Sequence, residues 1–313
     1  MGQGPARRRA RKRGLQKVVA VLATLSALLL AACGGGAGGT GAQDDNGGGS
    51  GDKGRIEIGY IPWDEDIAVS YLWKQLLEEK GYEVTLTQVE VAPLFAAVAN
   101  GSIDLFMDVW MPSTHGQYMD RFGDQVEVLG TWYDQADLGL AVPDYVAARS
   151  IEDLTQYADR FGKRIVGIEA GAGLMRVTRE SAMPGYGLED WELVQSSTPT
   201  MLAELDRAIQ NQEWIVVTLW RPHWAFAKYD IRYLDDPQGL MNPEGAEQIQ
   251  IIAREGFRDD FSEVAAWLGK FKLTSEQLAR LEAAIQDHGA DQPEKGVQAW
   301  LEENRDVVDA WLQ

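Results

Sequence analysis

The apolar positions of the chain switch repeatedly between a strand-like and a helix-like period. Arg55 to Ile61 is apolar at every second position, and Ile67 to Lys80 is apolar at helical spacing. Glu83 to Val89 then predicts a strand, Ala92 to Ala99 a short helix, and Ile103 to Trp110 a third strand. This βαβαβ order implies a parallel sheet with right-handed crossovers.

A second α/β unit follows a predicted crossing strand at Leu138 to Val142. It has strands at Arg164 to Ile168 and Trp214 to Trp220, and a helix that opens at Ser197 and runs to Ile209. Two such units predict an α/β protein of two lobes with a cleft between them, each lobe a mainly parallel sheet flanked by helices.

The last part of the chain, beyond about Glu247, is predicted to be mostly helical. A capping-box pattern begins a helix at Thr274, and Glu294 to Leu312 is amphipathic. We therefore expect lobe 1 at 55–145, lobe 2 at 146–245, and a return segment with C-terminal helices packing on the lobes at 246–313.

The first 54 residues have a different composition. Seven basic residues precede Val18 to Leu30, an apolar run too short to span a bilayer, which ends in Ala-Ala and then Cys33. This pattern resembles a bacterial lipobox, although an uncleaved signal anchor is the alternative. We expect a signal peptide at 1–32, a lipid on Cys33, and a flexible Gly-rich tether at 33–54.

Charge and cysteine content narrow the possible partners. Cys33 is the only cysteine, which excludes a disulfide within the chain. Removal of the seven basic residues of the signal leaves 22 basic against 48 acidic residues, a formal charge of −26. This charge argues against nucleic acid as a partner and weakly favours cationic ligands, while solubility alone explains it equally well.

Three tryptophans stand at the ends of predicted strands. Trp63 follows the first strand, Trp110 ends the third, and Trp220 ends the apolar run that begins at Trp214. Open α/β sheets bind ligands at the carboxyl ends of their strands, and indole faces attract a quaternary ammonium that has no proton to donate. Core packing is the alternative for any one of them, but the trio predicts a cage for a methylated cation.

An anion site is the expected complement of this cage. The segment EAGAGLM passes from a strand into a helix near Leu174, and backbone N–H groups at a helix N-terminus bind carboxylate or phosphate. Gly171 and Gly173 allow a ligand to approach the backbone closely. His115, five residues after Trp110, can donate a hydrogen bond to the same group. An ordinary tight turn and a structural histidine are the alternatives. His223 and His288 receive no ligand role.

The sequence contains no common catalytic signature. It has no GxSxG, HExxH, P-loop or GxGxxG motif, and its three histidines give no metal template. We therefore expect neither enzyme activity nor a metal or cofactor. The acidic cluster of Asp64, Glu65 and Asp66 is interpreted as the start of a helix that adds negative potential near the indoles.

The body of the chain resembles the substrate-binding lipoproteins of glycine betaine and proline betaine ABC transporters. The segments that carry the resemblance are IGYIPWDEDIAVSYLWKQLLEEKGYEVTL, QVEVAPLFAAVANGSIDLFMDVWMPSTH, GLAVPDY, SIEDL, GIEAGAGLM and VVTLWRPHWAFAKYDIRYLDDP. The resemblance implies the two-lobed periplasmic-binding-protein fold of type II, closing over its ligand by a hinge. The matching positions imply a prism of Trp63, Trp110 and Trp220, with the carboxylate held by His115 and the amides of Gly173 and Leu174.

The function expected from this resemblance is capture of a betaine outside the cytoplasm. A monomer anchored to the membrane by its lipid would deliver glycine betaine, or a related quaternary ammonium osmoprotectant, to an ABC permease with a cytoplasmic ATPase. Choline, carnitine or proline betaine are the alternative ligands. An exported enzyme acting on a small amine and a sensory receptor are the alternatives of a different class.

Overall fold

Residues 53–313 form a curled mixed β-sheet flanked by helices, in a computed structural model that describes this part of the chain. The predicted signal peptide, the lipidation site at Cys33 and almost all of the predicted tether lie outside the described residues. Within residues 53–313, none of the helices combines the length and apolarity that a membrane crossing needs.

The strands and helices alternate over most of the described residues, which end in four successive helices. The strands are β1 (Arg55–Tyr60), β2 (Glu83–Gln88), β3 (Leu105–Met111), β4 (Val126–Pro143), β5 (Arg164–Val166), β6 (Glu192–Val194), β7 (Val217–Arg221), β8 (Ile231–Tyr233) and β9 (Glu247–Arg254). The helices are α1 (Asp64–Glu79), α2 (Val91–Ala99), α3 (Gly116–Phe122), α4 (Ala158–Phe161), α5 (Gly173–Val177), α6 (Met183–Gly185), α7 (Thr198–Asn211), α8 (Ala225–Lys228), α9 (Phe257–Asp260), α10 (Ser262–Lys270), α11 (Ser275–His288) and α12 (Pro293–Trp311).

The sheet has two halves that share one long strand. Its order is β2-β1-β3-β9-β4-β7-β5-β6, and β8 pairs with β4. In the first half, β2, β1 and β3 are parallel, and in the second half β7, β5 and β6 are parallel. Because β4 pairs with β9 over its first part and with β7 over its second, the same strand runs through both halves. This architecture confirms the predicted α/β fold class.

The chain beyond Glu247 is mostly helical, as expected, but it begins with a strand, β9, that the sequence analysis did not predict. Strand β9 lies between β3 and β4 and is antiparallel to both. Its residues alternate between buried isoleucines and less buried glutamines up to Ile251, which is the period of a strand. The predicted crossing strand was also too short, because β4 begins at Val126 rather than Leu138.

The helices after β9 agree with the prediction. Thr274 caps α11 through a capping box in which its hydroxyl accepts from the Gln277 amide and the Gln277 side chain accepts from the Thr274 amide. Helix α12 ends within one residue of the predicted position, with a non-helical residue at Asn304. Helices α11 and α12 pack against each other and against α1, which in turn contacts β1, β2 and β3.

Candidate functional site: an indole-lined cavity

The three tryptophans predicted to form a cage line one cavity. Trp63 lies in the loop between β1 and α1, Trp110 is the next-to-last residue of β3, and Trp220 is the next-to-last residue of β7. Each side chain is at least 96% buried. The cavity has a volume of about 20 Å³, and its walls are Trp63, Glu65, Trp110, Thr114, Leu138, Ile168, Ala172, Gly173, Leu174 and Trp220.

Sheet register explains how residues so distant in sequence meet. Trp220 on β7 is paired with Leu138 on β4, and both side chains reach the cavity. Trp110 lies on β3, in the first half of the sheet, where it is paired with Ile249 on β9. The indoles of Trp110 and Trp220 therefore approach the cavity from different halves of the sheet.

The start of α5 also lines the cavity, through Ala172, Gly173 and Leu174. The first amides of a helix have no partner within the helix, and the cap residue Ala172 has no side chain that could accept from them. Gly173 packs directly against Thr114: a Cβ atom at this position would lie 2.3 Å from the Thr114 carbonyl oxygen. Only glycine allows the backbone of α5 to approach Thr114 this closely, and this contact places the amides of Gly173 and Leu174 at the cavity wall.

His115 is fixed against the cage but does not belong to the cavity wall. Its Nδ1 accepts a hydrogen bond from the Trp110 amide at 3.0 Å, and its own amide donates to the Trp110 carbonyl oxygen at 2.9 Å. Its ring stacks on Trp63, with centroids 5.7 Å apart and planes 12° apart. Because Nδ1 is an acceptor, a neutral ring carries its proton on Nε2, which is buried and has no hydrogen-bond partner among the described residues.

Burial keeps His115 neutral. The ring is fully buried, and this burial, followed by the nearby charge of Arg176, lowers its pKa to about 3. At neutral pH the ring is therefore an uncharged donor through Nε2. A buried donor without a partner is unusual in a folded protein.

Each indole of the cage donates its N–H to a carboxyl group. Trp63 Nε1 donates to Glu169 Oε2 at 3.3 Å, Trp110 Nε1 to Asp108 Oδ1 at 3.1 Å, and Trp220 Nε1 to Glu65 Oε2 at 2.8 Å. These three carboxyl groups, named here the indole carboxyls, are at most 7% exposed and stand on three different segments. The bonds fix the planes of the three rings around the cavity.

The sequence analysis did not identify the indole carboxyls. Asp108 precedes Trp110 by two residues, so the two side chains share a face of β3, and this spacing was a usable signal. Glu65 and Glu169 are separated from their indole partners by 155 and 106 residues, and no local pattern connects them. The prediction that Asp64, Glu65 and Asp66 begin a helix is confirmed, since they form the first turn of α1.

Burial shifts the protonation of the acidic groups behind the cage. It raises the pKa of Glu65 well above its ordinary value, and the charge of Glu282 on α11 acts in the same direction. Burial likewise raises the pKa of Asp108, with a second contribution from the charge of Glu65. Asp66 has a pKa raised to about 8 by burial, although it accepts from the Ile61 amide and the Ser70 hydroxyl.

A larger hollow of about 400 Å³ lies beside the cage, and its walls do not include the three indoles. Its walls include Asp64, Trp224 and Glu282. Trp224 Nε1 donates to Asp64 Oδ1 at 2.6 Å, and His223 Nε2 lies 3.2 Å from Asp64 Oδ2. Within residues 53–313, no group of His, Cys, Asp and Glu side chains is arranged to hold a metal ion.

The fold and the cavity together define a class of protein. A mixed sheet in two halves, with a small buried site formed by residues of both, is the architecture of the periplasmic binding proteins. The chain belongs to the family described as the substrate binding domain of the ABC-type glycine betaine transport system, whose model matches residues 54–303. Members of this family are substrate-binding components of transporters and act outside the cytoplasm.

Individual relatives agree with this assignment. The glycine betaine/carnitine transport binding protein GbuC of Listeria monocytogenes is 35% identical over 178 residues, which are 56% of this chain and 56% of that protein. The chain thus matches little more than half the length of this curated relative. Lactococcal OpuAC, crystallised in a closed conformation with glycine betaine, is 34% identical, with a TM-score of 0.76 over 83% of this chain and 99% of that one.

A second solved structure has the same fold. The glycine betaine/L-proline-binding protein ProX of Borrelia burgdorferi is 32% identical, with a TM-score of 0.77 over 83% of this chain and 97% of that one. The family and the fold class predicted from the resemblance are therefore confirmed. The assignment of individual ligand-binding residues stays a prediction, which the cavity geometry supports.

Proposed function

We propose that the indole-lined cavity binds glycine betaine, or a closely related quaternary ammonium osmoprotectant, for delivery to an ABC permease. The observation that carries the proposal is the meeting of Trp63, Trp110 and Trp220 at one cavity that Gly173 and Leu174 also line. The cavity thus offers both aromatic faces and the first backbone amides of α5, which are hydrogen-bond donors. Glycine betaine has a trimethylammonium group and a carboxylate at its two ends.

The aromatic side suits a cation that cannot donate a hydrogen bond. A trimethylammonium group has no N–H, so its attraction to indole faces replaces the hydrogen bonds that a primary amine would need. Each desolvated cation–π contact contributes roughly 0.5 to 2 kcal/mol. Three contacts of this kind, with the carboxylate held at the other side, are sufficient for micromolar affinity, which needs about 8 kcal/mol.

The hydrogen-bond donors of the site, named here the donor side, distinguish a betaine from choline. The unpartnered Nε2–H of His115 and the first amides of α5 are donors that a carboxylate satisfies, whereas the hydroxyl of choline is a single weak acceptor. A ligand without a carboxylate would leave buried donors unpaired, which costs binding free energy. We therefore place glycine betaine ahead of choline as the ligand.

The proposed cycle depends on closure of two lobes at about 55–145 and 146–245. Two of the indole bonds would join the two lobes, because Trp63 donates to Glu169 and Trp220 donates to Glu65. A ligand that contacts both lobes favours the closed state, and the closed state is recognised by the permease. We also propose that the protein is a monomer anchored through a lipid on Cys33.

Ligand titration tests the proposed function. We expect isothermal titration calorimetry to give micromolar affinity for glycine betaine, at least about ten-fold weaker binding of choline, and no turnover of either compound. The dissociation constant of choline is the internal control for the contribution of the donor side. Absence of measurable binding of glycine betaine, proline betaine and carnitine alike would contradict the proposal.

Replacement of His115 by Asn tests the donor side separately. The Asn side-chain oxygen can still accept from the Trp110 amide, but the group equivalent to Nε2–H is removed. Because a hydrogen bond to a charged group contributes about 1.5–3 kcal/mol, we expect glycine betaine binding to weaken at least about ten-fold. Choline binding should change much less. An equal loss for both ligands would show that His115 only supports Trp63 by stacking.

A further inference from the structure

The indole carboxyls are more polar than their structural role requires. An indole N–H needs only a neutral acceptor, and Trp132 donates to the Met107 carbonyl oxygen at 2.7 Å. Trp73 and Trp300 are buried with no acceptor among the described residues. Burial of an ionisable carboxyl group is costly, so an acidic side chain behind each indole of the cage calls for a reason beyond satisfying the N–H.

The three carboxyl groups reach the cage independently of one another. Glu65 is in the first turn of α1, Asp108 is on β3, and Glu169 lies between β5 and α5. Glu169 also accepts from the amide and the hydroxyl of Thr198, both at 2.9 Å, so its position is firmly held. No single helix or strand accounts for the arrangement, which places acidic groups behind all three rings. Trp224, which is not one of the three cage tryptophans, also donates its indole N–H to a carboxyl group, that of Asp64.

We propose that Glu65, Asp108 and Glu169 make the cage selective for a fixed positive charge, acting through the indoles that they hold. This inference rests on the proposed function and deepens it, because it names the residues that distinguish a cation from a neutral molecule of the same shape. A carboxyl group that accepts from an indole N–H places a partial negative charge at the edge of the ring when it is neutral and a full negative charge when it is ionised. That charge adds to the attraction between the ring face and a cation in the cavity.

Glu65 has the strongest effect of the three. It is the only indole carboxyl among the residues that line the cavity, so it faces the ligand as well as Trp220. The acidic groups that influence it are Glu282, Asp64 and Asp108, and burial with these charges favours its neutral form in the empty protein. A cation in the cavity acts in the opposite direction and favours the ionised form. A neutral ligand has no such effect.

The test compares two ligands of the same shape. Tert-butylacetate has the carboxylate and the methyl groups of glycine betaine, but a carbon atom replaces the charged nitrogen. The ratio of the two dissociation constants, measured by calorimetry, reports the selectivity for charge. Loosened packing would weaken the binding of both ligands and leave this ratio unchanged.

We expect the wild-type protein to prefer glycine betaine by at least about a hundred-fold, because the isostere loses every cation–π contact. Glu65→Gln keeps an acceptor for Trp220 and resembles the permanently neutral acid, so this ratio should fall about ten-fold. Asp108→Asn and Glu169→Gln should each lower it by several-fold. Asp104→Asn is the matched control, because Asp104 accepts from the Glu57 amide and Arg254 away from the cavity.

The outcomes separate this inference from the proposed function. A ratio within two-fold of the wild-type value in Glu65→Gln, Asp108→Asn and Glu169→Gln would overturn the inference while leaving the proposed function intact. A wild-type protein that binds both ligands equally well would also overturn it. A wild-type protein that binds neither ligand would instead contradict the proposed function. If one variant does not fold, as judged by circular dichroism, the other two decide.

Discussion

Trp220→Ala is expected to weaken glycine betaine binding by about thirty-fold or more. The indole of Trp220 is 98% buried, lines the cavity, and is held by Glu65 at 2.8 Å, so its contact with a cation would be desolvated. A desolvated cation–π contact contributes about 2 kcal/mol, which corresponds to this factor. The variant also leaves Glu65 without its donor, which adds to the loss. Calorimetric titration with glycine betaine measures the effect.

The control for this prediction is Trp214→Ala. Trp214 packs against Tyr157 and Phe161 and lies under Arg160, and it does not line the indole cavity. We expect its replacement to change the affinity less than about two-fold while lowering thermal stability. Thermal unfolding of both variants shows how much of any loss comes from destabilisation. A Trp220→Ala protein that is folded and binds as tightly as the wild type would refute the cage.

Gly173→Ala should have an even larger effect, although it adds a single methyl group. The new Cβ would lie 2.3 Å from the Thr114 carbonyl oxygen and 2.4 Å from the Thr114 methyl carbon, so either α5 or the segment containing Thr114 must move. Overpacking of this kind typically costs 1–3 kcal/mol. Because the displaced segment carries the amides that we assign to the carboxylate, we expect about a hundred-fold weaker binding of glycine betaine.

Gly171→Ala is the matched control, two residues away in the same turn. A Cβ at Gly171 meets no atom within 4 Å, and its backbone does not require glycine. We expect this variant to bind glycine betaine within about two-fold of the wild-type affinity. Equal affinities of the Gly171 and Gly173 variants, measured by the same titration, would mean that the start of α5 does not hold the ligand.

The sequence predicted the cage because strand termini are a local feature. Each of the three tryptophans follows or ends an apolar run that identifies a strand, and parallel strands bring such ends together at one edge. The two-residue period of β9 is also visible in the sequence, where Ile249 and Ile251 alternate with glutamine. The sequence predicted a return segment here but not a strand, because β9 follows a long irregular segment that lacks helix or strand periodicity.

The partners of the indole carboxyls and the exact position of His115 could not be predicted from local patterns. The bonds of Glu65 to Trp220 and of Glu169 to Trp63 depend on how the two halves of the sheet meet. The exact position of His115 depends on two hydrogen bonds to the backbone of Trp110, which a motif of residue types does not specify. Local patterns therefore identified the ring faces, whereas the acidic groups that hold the rings required the tertiary structure.

The central position of β9 has a consequence for biosynthesis. A ribosome makes the chain from its N-terminus, and until Arg254 has emerged both β3 and the first part of β4 lack their neighbour. An unfilled gap in the middle of a sheet leaves backbone N–H and C=O groups unpaired, so the partial chain gains little from folding early. A polypeptide that crosses a membrane in the unfolded state would benefit from this delay.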